Sequence, residues 1–193
     1  MLIVDIDGVL NPDMPRDNPE PPWITFVAEW SGYVVALNPE HGNELLAIAE
    51  RTGCELVWGT TWEEHANDEV ASRLGLPALP VVHVTTPPEV LDNWVIWKSG
   101  HIAKYAAGRP FVWLDDHPSE LDSRYLAANG APDHLIVQID PETGLEDHHL
   151  RQAEEWLESC SAGDRNGARF VAARLRAHAS GRRPAGSVTQ GPQ

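Results

Sequence analysis

Two pairs of aspartates are the side chains in this sequence best suited to chemistry. Asp5 and Asp7 lie two residues apart and are followed by Gly8, which frees the backbone for a sharp turn. Asp115 and Asp116 form a second acidic pair farther along the chain. Carboxylates this close repel one another unless a cation or a shared proton compensates. Mg²⁺ is the natural partner, since it prefers oxygen ligands and keeps several waters.

Hydroxyl and amino groups accompany these acids. Thr60 and Thr61 follow a short apolar run, and Lys98 lies at or near the start of a predicted helix. A pocket of carboxylates, a hydroxyl and an ammonium group suits phosphoryl transfer, because a cation and a lysine can neutralise phosphate oxygens while one carboxylate attacks in line. The residue types therefore indicate an enzyme that forms a covalent aspartyl-phosphate.

Five short apolar runs predict the strands that must position these side chains. The first lacks a polar face and is rich in β-branched residues, which is typical of a strand buried on both sides of a parallel sheet. In open α/β sheets, ligands bind beyond the carboxyl ends of the strands, which is where Asp5, Thr60 and Asp115 fall. The predicted strands cover residues 2–6, 55–58, 81–84, 111–114 and 135–139.

Helical spacing and terminating residues predict helices between the strands. Asn38 is expected to cap the first helix, with Pro39 at its first helical position. Glycines are expected to end the next two helices, which cover residues 62–74 and 96–107, and a last amphipathic helix is expected over residues 146–157. This alternation predicts an α/β fold, with a central parallel sheet and helices on both faces.

Two regions fall outside this alternation. Residues 11–22 read as a proline-rich loop and residues 23–37 as a small hairpin, so that a flap is expected over about residues 11–36. After a catalytic domain over residues 1–160, the arginine-rich residues 161–193 are expected to form one more helix, to about residue 178, and then a disordered tail.

The order of these motifs resembles the haloacid dehalogenase-like (HAD) superfamily. An Asp-x-Asp-Gly-Val-Leu sequence ends the first strand, a threonine follows the second, a lysine comes next, and an Asp-Asp pair ends the fourth strand. The similarity covers about residues 1–158. The aromatic context of residues 57–62 and 113–116 also resembles the small HAD domains related to those of multidomain RNA-repair proteins. The resemblance implies a three-layer Rossmann-like HAD fold.

The resemblance also implies catalytic roles. Asp5 is expected to be the nucleophile, and Asp7 the acid that protonates the leaving group and then the base that activates water. Thr60 is expected to bind a phosphate oxygen, with Thr61 as the alternative, and Lys98 to neutralise the phosphate and the nucleophile. An acid at the position of Asp7 favours phosphate chemistry over metal-free dehalogenation, and a phosphatase over a phosphate-transferring ATPase.

Metal ligands and backbone contacts follow from the same resemblance. Asp5 and Asp116 are expected to bind Mg²⁺ directly, the backbone carbonyl of Asp7 to face the metal, and Asp115 to support Asp116, although the order within the last pair varies in the superfamily. The backbone amides of Ile6 and Asp7 are expected to help cradle the phosphate.

The substrate stays open at this level. Neither gap between motifs fits a full cap domain, so a nearly capless phosphomonoesterase is expected, with a site open to a nucleic-acid end, a nucleotide or a small metabolite. The flap aromatics Trp23, Trp30 and Tyr33 either stack on a base or pack the hairpin onto the core. A non-catalytic HAD-like module that binds a phosphorylated partner is the alternative from another class.

Composition bounds these expectations. The chain has 193 residues, a net charge of −15 and only two cysteines, which excludes a disulfide scaffold. Six arginines against one acid after residue 160 leave the first 160 residues more acidic still, which opposes nonspecific binding to a polyanion. No apolar run is long enough to span a membrane, and no obligate protein partner is indicated. A cytoplasmic location is expected, because the N-terminus lacks the features of a signal peptide.

Overall fold

Four parallel strands form the central sheet of the computed structural model, which describes residues 1–13, 22–84, 97–131 and 133–161. The strands are β1 (Leu2–Val4), β4 (Leu56–Trp58), β5 (Phe111–Asp115) and β6 (His134–Gln138). Their order in the sheet is β4-β1-β5-β6. Ile3 at the centre of β1 lies between Val57 of β4 and Trp113 of β5.

Helices cover both faces of this sheet, as the sequence predicts. The α-helices are α1 (Glu40–Thr52), α2 (Trp97–Ala106), α3 (Glu120–Ala128) and α4 (residues 147–161). Alternate residues of β1 separate two apolar clusters, because successive strand side chains point to opposite faces. Leu2 and Val4 join the cluster with α1 and α4, whereas Ile3 joins the one with α2 and α3. The expected three-layer α/β architecture is confirmed.

A two-stranded antiparallel hairpin, residues 22–37, follows the first strand. It consists of β2 (Ile24–Val27) and β3 (Val34–Leu37), which pair with Val27 opposite Val34. Val35 and Leu37 are fully buried in the cluster that contains α1, while Val34 and Tyr33 are exposed. The predicted hairpin is confirmed, whereas residues 14–21 of the predicted flap lie outside the described part of the chain.

Two expected elements differ from the structure. Residues 62–74 do not form one regular α-helix: turns over 61–64 lead into a π-helix (Ala66–Val70) and a 3-10 helix (Ala71–Leu74), which ends at the left-handed Gly75. Long-range hydrogen bonds accompany this irregular winding. The Asn67 side-chain amide donates to the Leu79 carbonyl oxygen and accepts from the Leu79 backbone N–H, each at 2.8 Å. The strand expected over 81–84 reduces to one bridge between Val81 and Trp58.

α3 is an element that the sequence analysis did not predict. Ser119 caps it by accepting from the backbone N–H of Leu121, and Asp122 completes a capping box by accepting from the Ser119 backbone N–H at 2.7 Å. α1 begins at Glu40, so that Pro39 precedes the first helical residue rather than occupying it, and Asn38 Oδ1 accepts from the Glu40 N–H at 3.0 Å. Helix ends commonly shift by one residue in this way.

Two further observations bound the fold. Residues 1–159 form one compact unit, and the helix and tail expected after residue 161 lie outside the described residues. Within those described residues, no helix has the length and apolar character that crossing a membrane requires.

Candidate active site

The carboxyl ends of β1 and β5 and the start of α2 meet at one cavity of about 490 Å³. Parallel strands end at the same edge of a sheet, which is why residues distant in sequence converge here. Among the described lining residues are the following predicted site residues: Asp5, Asp7, Thr61, Lys98, Asp115 and Asp116. The structure thus brings together side chains from all four sequence motifs.

Asp5 lies buried at the bottom of this cavity, directly after β1. One carboxylate oxygen accepts from the backbone N–H of Ile6 at 2.7 Å, and the other forms an ion pair with Lys98. Burial raises the pKa of Asp5 to about 6, the attraction of Lys98 opposes this shift, and the repulsion of Asp115 adds to it. The ionised Asp5 carboxylate is thus poorly solvated by water, and the nearby positive charge of Lys98 stabilises it.

Lys98 connects the two strand ends through its ammonium group. Its Nζ binds Asp5 and lies 2.7 Å from Asp115 Oδ2, while its side chain is only 13% exposed. Burial alone would lower the pKa of Lys98, but the two carboxylates together outweigh burial and raise it. The lysine therefore stays charged at the base of the cavity.

Asp115 and Asp116 point to different neighbours. Asp115 is 1% exposed and accepts from the backbone N–H of His117 at 3.0 Å, in addition to its bond with Lys98. Asp116 is less buried and pairs with the His117 ring. Burial raises the pKa of Asp116, His117 opposes the shift, and Asp5 adds to it.

The donor set of Asp5, Asp115 and Asp116 fits a hard divalent cation. Each offers a carboxylate oxygen, and these oxygens all lie within 4.8 Å of one another. Oxygen-only ligand sets suit Mg²⁺. Three close carboxylates against the single ammonium of Lys98 also leave negative charge that a cation would balance.

Asp7 lies at the open side of the cavity and outside that cluster of three carboxylates. Its Oδ2 accepts from Trp62 Nε1 at 2.8 Å, and its Oδ1 accepts from Asn11 Nδ2 at 3.0 Å. Gly8, with φ +71°, is left-handed, and a Cβ there would overlap the Asp116 carboxylate. Glycine at this position therefore lets the turn after β1 approach the second acidic pair.

The two threonines after β4 occupy different environments. Thr60 is fully buried, and its hydroxyl accepts from the backbone N–H of Trp62 at 3.3 Å. Thr61 is exposed and lines the cavity. Thr61, the expected alternative, is thus the threonine on the cavity wall. The backbone N–H of Ile6, expected to cradle phosphate, donates to Asp5 in this structure.

The predicted site residues are supported by hydrogen bonds of residues that were not among the predicted site residues. The Ser99 hydroxyl, next to Lys98 on α2, donates to the buried Asp122 carboxylate of α3, which also accepts from the Ser119 backbone N–H. Trp62 and Asn11 hold Asp7. The Ser-x-x-Asp spacing at residues 119–122 is a capping signal that would have located α3, but no local pattern predicts the contacts of Asp7.

The sheet order, the two helical layers and the acidic strand ends define a HAD-like domain. The chain matches, over residues 1–150, the family described as the HAD domain in Swiss Army Knife RNA repair proteins. Because the match covers most of the chain, the protein belongs to this family, which supports a phosphatase-like function in general terms. Comparisons with curated proteins and with solved structures find no match.

Proposed function

We propose that this protein is a Mg²⁺-dependent phosphomonoester hydrolase that works through an aspartyl-phosphate on Asp5. The observation that carries this proposal is the single ammonium group of Lys98 bound to both Asp5 and Asp115 at the bottom of an open cavity. A fixed positive charge beside the Asp5 carboxylate, in a cavity large enough to admit a phosphate group, supports phosphoryl transfer to Asp5. All motif residues are present, which argues against a non-catalytic module.

In the first step, a carboxylate oxygen of Asp5 attacks phosphorus and the bond to the leaving oxygen breaks. Asp7, at the open side of the cavity, donates a proton to that leaving oxygen. Lys98 stays charged and balances negative charge on the phosphoryl oxygens, and Thr61 lines the same space. Thr60 acts on the phosphate only if its buried hydroxyl becomes accessible.

In the second step, Asp7 removes a proton from a water molecule, which attacks phosphorus and breaks the bond to Asp5. Inorganic phosphate leaves, and both aspartates return to their starting states. Asp5, Asp116 and Asp115 would hold the Mg²⁺, together with the backbone carbonyl of Asp7. When bound, the metal neutralises charge on the phosphate and the nucleophile.

The substrate we propose is a single phosphate ester at a nucleic-acid end or on a nucleotide, with a small metabolite as the alternative. The family description, which concerns RNA repair proteins, supports the first choice. Among the described lining residues, Lys98 is the only lysine or arginine, which suits one phosphate better than a polyphosphate. Comparing turnover of a 3′-phosphate oligonucleotide, a mononucleotide and a phosphopeptide tests this choice.

Two treatments of the purified protein test the reaction itself. Hydrolysis of p-nitrophenyl phosphate with Mg²⁺ should be lost in Asp5→Asn and after EDTA, and Mg²⁺ should restore the EDTA-treated protein. Asp133→Asn, a matched change at an exposed position, should keep full activity. Normal turnover by Asp5→Asn, or turnover that EDTA does not affect, would contradict the proposal.

A further inference from the structure

Side chains from two different parts of the chain hold the two carboxylate oxygens of Asp7. Trp62 Nε1 donates to Oδ2 at 2.8 Å, and Asn11 Nδ2 donates to Oδ1 at 3.0 Å. Trp62 is 2% exposed, whereas Asp7 is exposed at the cavity edge. An exposed carboxylate would otherwise rotate freely, so these two donors fix its direction.

Asn11 also forms a hydrogen bond with the hairpin. Asn11 Oδ1 accepts from the backbone N–H of Ala36 in β3 at 2.9 Å. A backbone N–H can only donate, so the amide oxygen of Asn11 must face Ala36 and its NH₂ group must face Asp7. Asn11 therefore links Asp7 to the second strand of the hairpin.

Trp62 contacts the hairpin through its aromatic ring. Trp30, in the hairpin turn, packs edge-on against Trp62 with ring centroids 5.4 Å apart, and stacks on His65 at 5.1 Å. The buried Glu69 carboxylate fixes this turn by accepting from the backbone N–H groups of Glu29 and Trp30, at 2.7 and 3.1 Å. The Trp62 indole thus lies between Asp7 and an anchored turn.

We propose that Trp62 and Asn11 are positioning residues for Asp7 and that the hairpin holds both of them in place. This inference rests on the proposed function, in which Asp7 exchanges protons with the leaving oxygen and with water. A general acid must lie within hydrogen-bond reach of the oxygen it protonates, and small misplacements are costly. Neither Trp62 nor Asn11 needs to touch the substrate for this role.

The leaving group distinguishes positioning from a general structural role. An alkoxide leaves poorly without a proton, whereas p-nitrophenolate leaves readily as an anion, so a misplaced acid slows alkyl esters more than p-nitrophenyl esters. The value of kcat/KM reports the first irreversible step, which is transfer of the phosphoryl group to Asp5. A defect in folding or in phosphate binding would lower kcat/KM for both esters alike.

The experiment compares kcat/KM for ethyl phosphate and p-nitrophenyl phosphate in the full chain. Trp62→Phe keeps a ring against Trp30 but removes the N–H, and we expect about a tenfold or larger loss on ethyl phosphate with less than about a threefold loss on p-nitrophenyl phosphate. Asn11→Ala should shift the ratio in the same direction. Trp156→Phe in α4, the same chemical change elsewhere, should leave the ratio unchanged.

An equal loss on both esters, or no loss on either, would overturn this inference. If Trp62→Phe does not fold, as thermal unfolding would show, Asn11→Ala and Trp30→Ala decide the question by the same ratio. A wild-type protein that hydrolyses neither ester, or an active Asp5→Asn variant, would overturn the proposed function and this inference with it. An active wild type, an inactive Asp5→Asn and an unchanged ratio would overturn this inference alone.

Discussion

The sheet edge and the hairpin contribute to the site in different ways. At the sheet edge, charged groups are buried: Asp5 and Asp115 are 4% and 1% exposed and share the Lys98 ammonium. In the hairpin, large apolar side chains are exposed, with Tyr33 at 73% and Val34 at 70%. Burying a charged group costs free energy, which a closely paired opposite charge can offset. Exposed apolar side chains instead leave a surface free for other contacts.

This difference indicates that the sheet edge and the hairpin affect different properties of the site. Buried strand β1 positions Asp5, the proposed nucleophile, and helix α2 positions its counter-charge Lys98, so both groups depend on the core. In the described part of the chain, the hairpin reaches Asp7 through Asn11 and Trp62, so it should affect the direction of Asp7 without supplying charge. Variants on the two sides should therefore differ in what they change as well as in how much.

Lys98→Met should have the largest effect, because it removes the buried positive charge beside Asp5, the proposed nucleophile. We expect kcat/KM for p-nitrophenyl phosphate to fall by about 10²–10³-fold, the usual cost of losing one electrostatic stabiliser of the transition state. Lys104→Met, an exposed lysine on the same helix, serves as the control and should keep wild-type activity. A loss of less than about tenfold in Lys98→Met would show that the lysine is not part of the reaction.

Replacing His41 should have the next largest effect, which is on how the free energy of unfolding depends on pH. His41 lies on α1, and its ring contacts the ring of Trp23, just before β2. Burial lowers the pKa of His41 to about 4, against a weaker opposing effect of Asp147, and its Nδ1 has no hydrogen-bond partner among the described residues. The unfolded chain therefore binds this proton at a higher pH than the folded one. The contribution of His41 is complete above pH 6.5 and is lost as the pH falls towards 4, by up to about 3 kcal/mol.

Urea unfolding of the wild type and His41→Phe between pH 7 and 4 measures this contribution. The variant, which cannot take up the proton, should lose less of its free energy of unfolding over that range. Parallel pH profiles for the two proteins would show that His41 does not titrate in this way.

Glu69→Ala should have a smaller effect, confined to the hairpin. It leaves two backbone N–H groups without their carboxylate, which costs about 1–3 kcal/mol. Hydrogen exchange at the amides of Glu29 and Trp30 should accelerate, while Asp68→Ala, an exposed neighbour, should leave it unchanged. Equal exchange in both variants would mean that Glu69 does not anchor the turn.

Tyr33→Ser should have the smallest effect on stability. The Tyr33 side chain is 73% exposed, so the free energy of unfolding should change by less than about 0.5 kcal/mol. Thermal unfolding measures it, and a clear loss of stability would show that this exposed side of the hairpin has a structural role.

The sheet edge was largely predictable from sequence, whereas the supports of the site were not. Apolar runs that end in Asp5 and Asp115 are local signals, and parallel topology alone brings such ends together. The contacts of Asp7 with Trp62 and Asn11 join positions up to 55 residues apart, and no local pattern specifies them. A helix ending at Gly75 was predicted over residues 62–74, but its irregular winding over residues 66–74 was not, since tertiary hydrogen bonds of Asn67 and Glu69 accompany that winding.

The most direct test of the mechanism is to identify the phosphorylated residue. Asp7→Asn should still take phosphate from p-nitrophenyl phosphate, because that leaving group needs no proton, but should hydrolyse the intermediate slowly. We predict a burst of close to one p-nitrophenolate per protein, and phosphate on the peptide that contains Asp5 after acid quenching and mass mapping. Phosphate on any other residue, or a burst without phosphorylated protein, would contradict nucleophilic catalysis by Asp5.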